Sequence, residues 1–191
     1  CSSDLTLVVN TADALGCSGL SWGIDGTRFD RIWHVAGVFG PRTSGLEPPV
    51  QQDFDLVMHT NVLGAMQAIP LVAPLVSAAR GKFAFITSGM GSIGDAESSM
   101  GWVYRASKAA LNMAVHSARN DYPNITLAVM NPGWVKTDMG GPEAPRSVQQ
   151  GADTALYLAK SHGRNKAYGV DRIDATDALA AAQLTARLEA A

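Results

Sequence analysis

The sequence predicts an α/β domain built on a mainly parallel sheet, and three observations predict it. Short apolar runs rich in β-branched and aromatic residues alternate with longer, Ala- and Leu-rich stretches of helical period. Each apolar run ends in small or polar residues, as expected where parallel strands open onto a site at their carboxyl ends. The 191 residues, 47% hydrophobic and 17% charged, also suit one globular domain, with no internal repeat and no linker.

The strand runs are "LTLVV" (5–9), which ends at Asn10, "RIWHVAG" (31–37), "KFAFITS" (82–88) and "TLAVMNPG" (126–133). A helical stretch, "ADALGCSGLSWGIDG", separates the first two. Residues 51–80 form a long apolar helical pattern in which Pro70 and Pro74 are expected kinks or ends. Residues 104–122 are Ala-rich and strongly helical. Residues 147–162 open with a capping box, Ser147 followed by Gln150. The tail 174–191 has helical composition and carries no recognisable chemistry.

Bulk charge and composition exclude some function classes. A net charge of -2 without a basic run offers nucleic acid no electrostatic footprint, so no nucleic-acid partner is expected. Cys1 and Cys17 are too few and too close to one end for a disulfide framework. They read as ordinary small residues in a reducing compartment, hence a cytoplasmic location. No apolar run approaches the ~18 residues of a membrane helix and no signal peptide is visible, so no membrane partner is expected. The first residue is Cys rather than Met, which suggests a processed or cut chain, or part of a longer one. His34, His59, His116 and His162 show no ligand spacing with Cys or carboxylates, and no metal is expected.

Chemistry concentrates in "WVYRASKAALN" (102–112), where Tyr104 and Lys108 are one helical turn apart and face the same way. A free phenol has a pKa near ~10, too high for ready proton exchange at neutral pH. A nearby ammonium favours the phenolate, and acid–base catalysis works best when the pKa lies near the working pH. A proton donor and its tuner fit this spacing, although the bare spacing also occurs on amphipathic surface helices. The surroundings separate the two readings.

"YRASKAALN" (104–112) resembles the active-site helix of the short-chain dehydrogenase/reductases. In the same order, "HVAG" (34–37) stands at the family's N-N-A-G position, and "TNVLG" (60–64) resembles its N-x-x-G segment. "FITSGMGSIG" (85–94) resembles its serine-bearing strand end, and "NPGWVKTDM" (131–139) its P-G-x-x-x-T segment. The wording is most similar to the C-factor-like branch. The resemblance implies a Rossmann-like, doubly wound, mainly parallel sheet and an NAD- or NADP-dependent oxidoreductase. Such an enzyme interconverts a small-molecule carbonyl and a secondary alcohol. It implies Tyr104 as the acid/base and Lys108 as the group that lowers its pKa and holds the nicotinamide ribose. Asn61 would anchor a proton-relay water. Ser88 takes the family place at the strand end, whereas Ser92 lies 12 residues before Tyr104, nearer the commonest spacing. Ser88 is preferred, and either hydroxyl would hydrogen-bond a carbonyl oxygen. Ala36, Gly37, Pro132, Gly133 and Thr137 would border the cofactor, with Thr137 bonding its carboxamide. Trp102 and Trp134 line the substrate mouth or pack in the core. A homodimer or homotetramer pairing through the helices 104–122 and 147–162 is implied too.

The family's opening strand and T-G-x-x-x-G-x-G turn, which brings a pyrophosphate to a helix N-terminus, has no good counterpart. "TADALGCS" (11–18) fits it poorly. "LVVNTAD" (7–13) instead resembles the end of the family's third strand, with Asn10 in place of the adenine-contacting aspartate. The expectation is therefore an N-terminally truncated version of the fold. The alternative function is that of a non-enzymatic family member acting in signalling or interaction. We expect the 191-residue chain alone to bind NADH or NADPH weakly or not at all; submicromolar binding by calorimetry would contradict this.

Overall fold

The computed structural model describes residues 9–24, 26–43 and 46–153. Cys1, His162, residues 5–8 of the first expected strand, the later part of the helix expected over 147–162, and the tail 174–191 lie outside them. Helix α1 (Ala14–Ile24) leads into strand β1 (Arg31–His34), the single helix expected between Asn10 and His34. Helices α2 (Gln51–Met58) and α3 (Gly64–Ser77) carry the chain to β2 (Lys82–Ile86). Helix α4 (Trp102–Ala118) then leads to β3 (Thr126–Met130).

The three strands pair in the order β1-β2-β3, all parallel, with Arg31 opposite Lys82 and Lys82 opposite Thr126. Side chains of a strand alternate between faces, and the two faces differ here. Phe83 and Phe85 of β2 and Leu127 and Val129 of β3 face the main core. Ala84, Ile86 and Met130 form a small cluster of their own. The main core is closed by Ala65, Ile69, Val72, Ala73 and Val76 of α3, at helical spacing, and by Leu111 and Val115 of α4. Leu20 and Ile24 bring α1 onto the same core. Burying each of the larger side chains contributes about 1.5–3 kcal/mol.

The strands stop short of the apolar runs that predicted them, because their last residues turn out of the sheet to build loops. β1 ends at His34, and Val38 then pairs through both backbone groups with the Asn61 side chain. After β2, the Thr87 N–H still donates to the Met130 carbonyl (2.9 Å), and Ser88 opens a 3₁₀ turn, Gly89–Gly91.

Two expectations need correction. Pro70 and Pro74 neither end nor break the helix; both lie inside α3, which runs on to Ser77. The irregularity falls earlier, at a wider π-type turn, His59–Leu63, that joins α2 to α3 and contains Asn61. The second concerns length and polarity. Gln51–Ser77 spans 27 residues, and its most apolar 18-residue window has a mean hydropathy of 1.4, long and apolar enough to cross a membrane. Half of its most apolar window is buried inside the fold, as for a core helix packed on a sheet. The capping box is present, with the Gln150 side chain accepting from the Ser147 N–H (2.8 Å) and Ser147 Oγ from the Gln150 N–H (3.2 Å).

Leu127→Ala is expected to cost about 2–5 kcal/mol in urea unfolding, since it opens a cavity under α3 and α4. Met113→Ala, on the exposed face of α4, is expected to stay within about 0.5 kcal/mol.

Candidate active site

The loops at the carboxyl ends of β1 and β2 meet the N-terminal half of α4, through Phe39 on Tyr104 and Gly91 against Lys108. Tyr104, Lys108, Leu111 and Val115 occupy one face of that helix, and all four are buried. Core packing of Leu111 and Val115 thus fixes the rotation of α4 and so aims Tyr104 and Lys108.

Ser88, at the end of β2, lies near enough to the Tyr104 side chain to favour its ionised form, while its Oγ accepts from the Met90 N–H (3.2 Å). Ser92 is turned elsewhere, its Oγ donating to Asp95 Oδ2 at 2.6 Å. The Lys108 ammonium donates to the Ile86 carbonyl (2.9 Å) and lies 5.6 Å from the Tyr104 ring centre. Burial pushes the phenol pKa up, and Ser88 opposes that push. Burial brings Lys108 down to about 8. In this arrangement the lysine is the group poised near working pH, and the phenol is held protonated.

Asn61 is fully buried in the π-type turn. Its Oδ1 accepts from the Val38 N–H (2.8 Å), and its Nδ2 donates to the Val38 carbonyl (2.9 Å) and to Ser107 Oγ (2.8 Å). Ser107 in turn donates to the Tyr104 carbonyl (2.8 Å). Gly37 lies between these groups. A β-carbon there would stand 3.2 Å from Lys108 Nζ and 3.4 Å from Asn61 Oδ1, so only glycine leaves the space open.

Most of the remaining predicted positions fall in loops. Ala36 is exposed beside Gly37. Pro132 and Gly133 follow β3, where the Gly133 N–H donates to Asn131 Oδ1 (3.0 Å). Thr137 is exposed and caps a turn, its Oγ1 accepting from the Gly140 N–H (3.0 Å). Asn10 shapes the entry to α1, its Oδ1 accepting from the Ala12 N–H (3.1 Å). Trp134 is exposed at the rim, its indole N–H donating to the Gly140 carbonyl (2.8 Å), whereas Trp102 is half-buried at the start of α4. Cys17 is a buried thiol whose Sγ lies 3.6 Å from the Thr11 carbonyl, and burial raises its pKa.

Sequence reasoning missed three participants. Phe39 stacks on Tyr104 with ring centres 4.7 Å apart; its place two residues after Gly37 was the available signal. Ser107 links Asn61 to α4, and its neighbour Lys108 could have marked it. His34 is buried at the end of β1 with its ring 5.4 Å from Phe85. Burial, and secondarily the Lys108 charge, lowers its pKa.

A parallel sheet whose carboxyl-end loops lie against a helix carrying a buried Tyr–Lys pair defines an α/β protein with its chemistry-bearing residues at the strand ends. The short chain dehydrogenase family model matches residues 25–147, and the chain belongs to that family, with its Rossmann-like fold. It is 41% identical over 87 residues to the C-signal of Myxococcus xanthus, covering 44% of this chain and 52% of that one. It is 34% identical over 119 residues to 1-hydroxy-2-glutathionyl-2-methyl-3-butene dehydrogenase of Rhodococcus sp. (strain AD45), covering 60% and 50%. Among solved structures, a short-chain dehydrogenase/reductase from Burkholderia multivorans with bound NADP superposes with a TM-score of 0.75 at 29% identity, over 83% of this chain and 70% of that one. Carbonyl reductase Sniffer of D. melanogaster gives 0.73 at 25%, over 81% and 69%. The chain spans about half the length of the curated relatives just named.

The Lys108 pKa of about 8 lies below its ordinary 10.5, so between those values the unfolded chain holds the proton more tightly and stability rises with pH. From pH 8 to 9 the rise is expected to be about 1 kcal/mol in urea unfolding, and Lys108→Met flattens it. The raised pKa of Cys17, whose ordinary value is 9.0, already offsets part of this rise near pH 9, and that of Tyr104 acts in the same opposing sense nearer pH 10.

Proposed function

We propose that the protein is an NAD(P)-dependent oxidoreductase that interconverts a carbonyl compound and a secondary alcohol. The observation that carries this reading is the buried Tyr104, with Ser88 near its side chain and Lys108 behind it. The absence of a side chain at Gly37 beside Lys108 Nζ is consistent with a cofactor approaching there, and the NADP in a structural neighbour supports the pairing. Ala36, Gly37, Lys108, Pro132, Gly133 and Thr137 are the residues that would hold it, with Asn10 towards the adenine. Bound nicotinamide supplies or accepts the hydride at the reacting carbon.

The chain's own groups handle the oxygen. Tyr104 gives its proton to the carbonyl oxygen in reduction and takes it back in oxidation. Ser88 donates a hydrogen bond to the same oxygen as charge develops. Lys108, titrating at about 8, restores the phenol proton, and the Asn61 turn holds the groups along that route. We further propose a cytoplasmic homodimer or homotetramer. Ala106 and Met113, both exposed on the outer face of α4, support pairing through that helix. A second reading, a role in signalling, is favoured by the likeness to the C-signal.

In the native protein, Tyr104→Phe is expected to lower carbonyl-dependent NAD(P)H oxidation about 100- to 10,000-fold. Ser88→Ala is expected to cost about 100-fold or more, and Ser92→Ala to leave turnover unchanged. Unchanged turnover in Tyr104→Phe removes the phenol from the mechanism. A signalling activity that survives the same substitution favours the second reading.

A further inference from the structure

Above Tyr104 the site continues as a stack. The Phe39 ring lies on the phenol, 4.7 Å between centres and 24° from parallel. The Arg42 guanidinium lies over the other aromatic partner, 5.0 Å from the Phe39 centre. Both are held in place. Val38 is clamped by Asn61, and Gly101, at φ 65°, leaves so little room that a β-carbon would stand 2.8 Å from Phe39 Cζ. Arg42 Nη2 donates to the Met139 carbonyl, so one side chain ties the loop after β1 to the loop after β3 across the mouth.

Arg42 is exposed, and the bond to Met139 uses one of its five N–H donors. The loops after β2 and β3 expose large apolar side chains, Ile93, Met100, Trp134 and Met139, among polar and charged ones, and Met139 is the one whose backbone Arg42 holds. An exposed cation stacked on an aromatic ring beside apolar side chains suits a ligand with an apolar body and a planar anionic group. Two stacking separations place the guanidinium a short chain's length from the phenol.

We propose that Arg42 and Phe39 form a specificity element that selects carbonyl substrates bearing a carboxylate a few bonds from the reacting carbon. The carboxylate pairs with the free edge of Arg42, Phe39 sets its height above Tyr104, and the apolar rim takes the rest of the molecule. The proposal rests on the oxidoreductase reading but is tested by binding as well as turnover.

The probe is benzoylbutyrate, whose ketone and carboxylate are separated by three methylenes, compared with its methyl ester. Calorimetry with the native protein, with and without NADP, reads binding; NADPH oxidation reads turnover. The wild type is expected to bind the acid about tenfold or more tightly than the ester, and added salt reduces that preference. Arg42→Ala is expected to abolish the preference by raising KM for the acid about tenfold more than for the ester, and Arg42→Lys restores part of it. Equal binding of acid and ester by the wild type, binding of neither, or equal losses for both in Arg42→Ala overturns the proposal. Preferential binding of the acid without any turnover leaves the proposal standing and defeats the oxidoreductase reading instead.

Discussion

The site depends on the carboxamide of Asn61. Three of its hydrogen bonds join three separate elements: two go to Val38 in the loop after β1, and one reaches Ser107 on α4. Fully buried, it stands in for a neighbouring strand by satisfying a backbone N–H and C=O where β1 leaves the sheet. Without those partners Val38 would carry two unpaired backbone groups at the edge of the core, each costing about 1–3 kcal/mol. The loop that carries Gly37, Phe39 and Arg42 is therefore positioned by one side chain of the helix crossing beneath it.

Electrostatics follow from that packing. The same burial that aligns Tyr104 and Lys108 strips water from both, raising the phenol pKa and lowering that of the ammonium. Ser88 offsets the first effect, and the Ile86 carbonyl gives the ammonium a partner. His34 adds a second buried base near Lys108, kept neutral by its surroundings. Among the described buried groups around Tyr104, the charge thus rests on Lys108, which is close to losing its proton.

Much of this was legible in the sequence because it was encoded locally. The four-residue spacing of Tyr104 and Lys108 fixes their shared face on any helix. The alternation of "KFAFI" and the helical period of α3 fix which side chains meet. Features set by distant contacts were not legible. The strand-end position already favoured Ser88 over Ser92, but the 3₁₀ turn Gly89–Gly91 that sends the Ser92 hydroxyl to Asp95 had no sequence signal. Pro70 and Pro74 read as interruptions from local rules, yet α3 runs through both and packs on the sheet. The Phe39 stack joins residues 65 positions apart, and Arg42 meets Met139 across 97; no local pattern specifies either pairing.

The π-type turn at His59–Leu63 also acts as a phase shifter. One residue beyond the α-helical repeat rotates everything downstream by about 100° about the helix axis. Upstream, α2 buries little beyond Val57; downstream, α3 turns a continuous apolar stripe to the sheet. A single helix thus serves two orientations, one set by the loops and one by the core, and Asn61 sits at the joint. Removing one residue here would bring the two halves into a single phase, and adding one would turn them about 100° further apart, so that in either case one of them must face the wrong way. Insertions and deletions here are constrained by angle rather than by length.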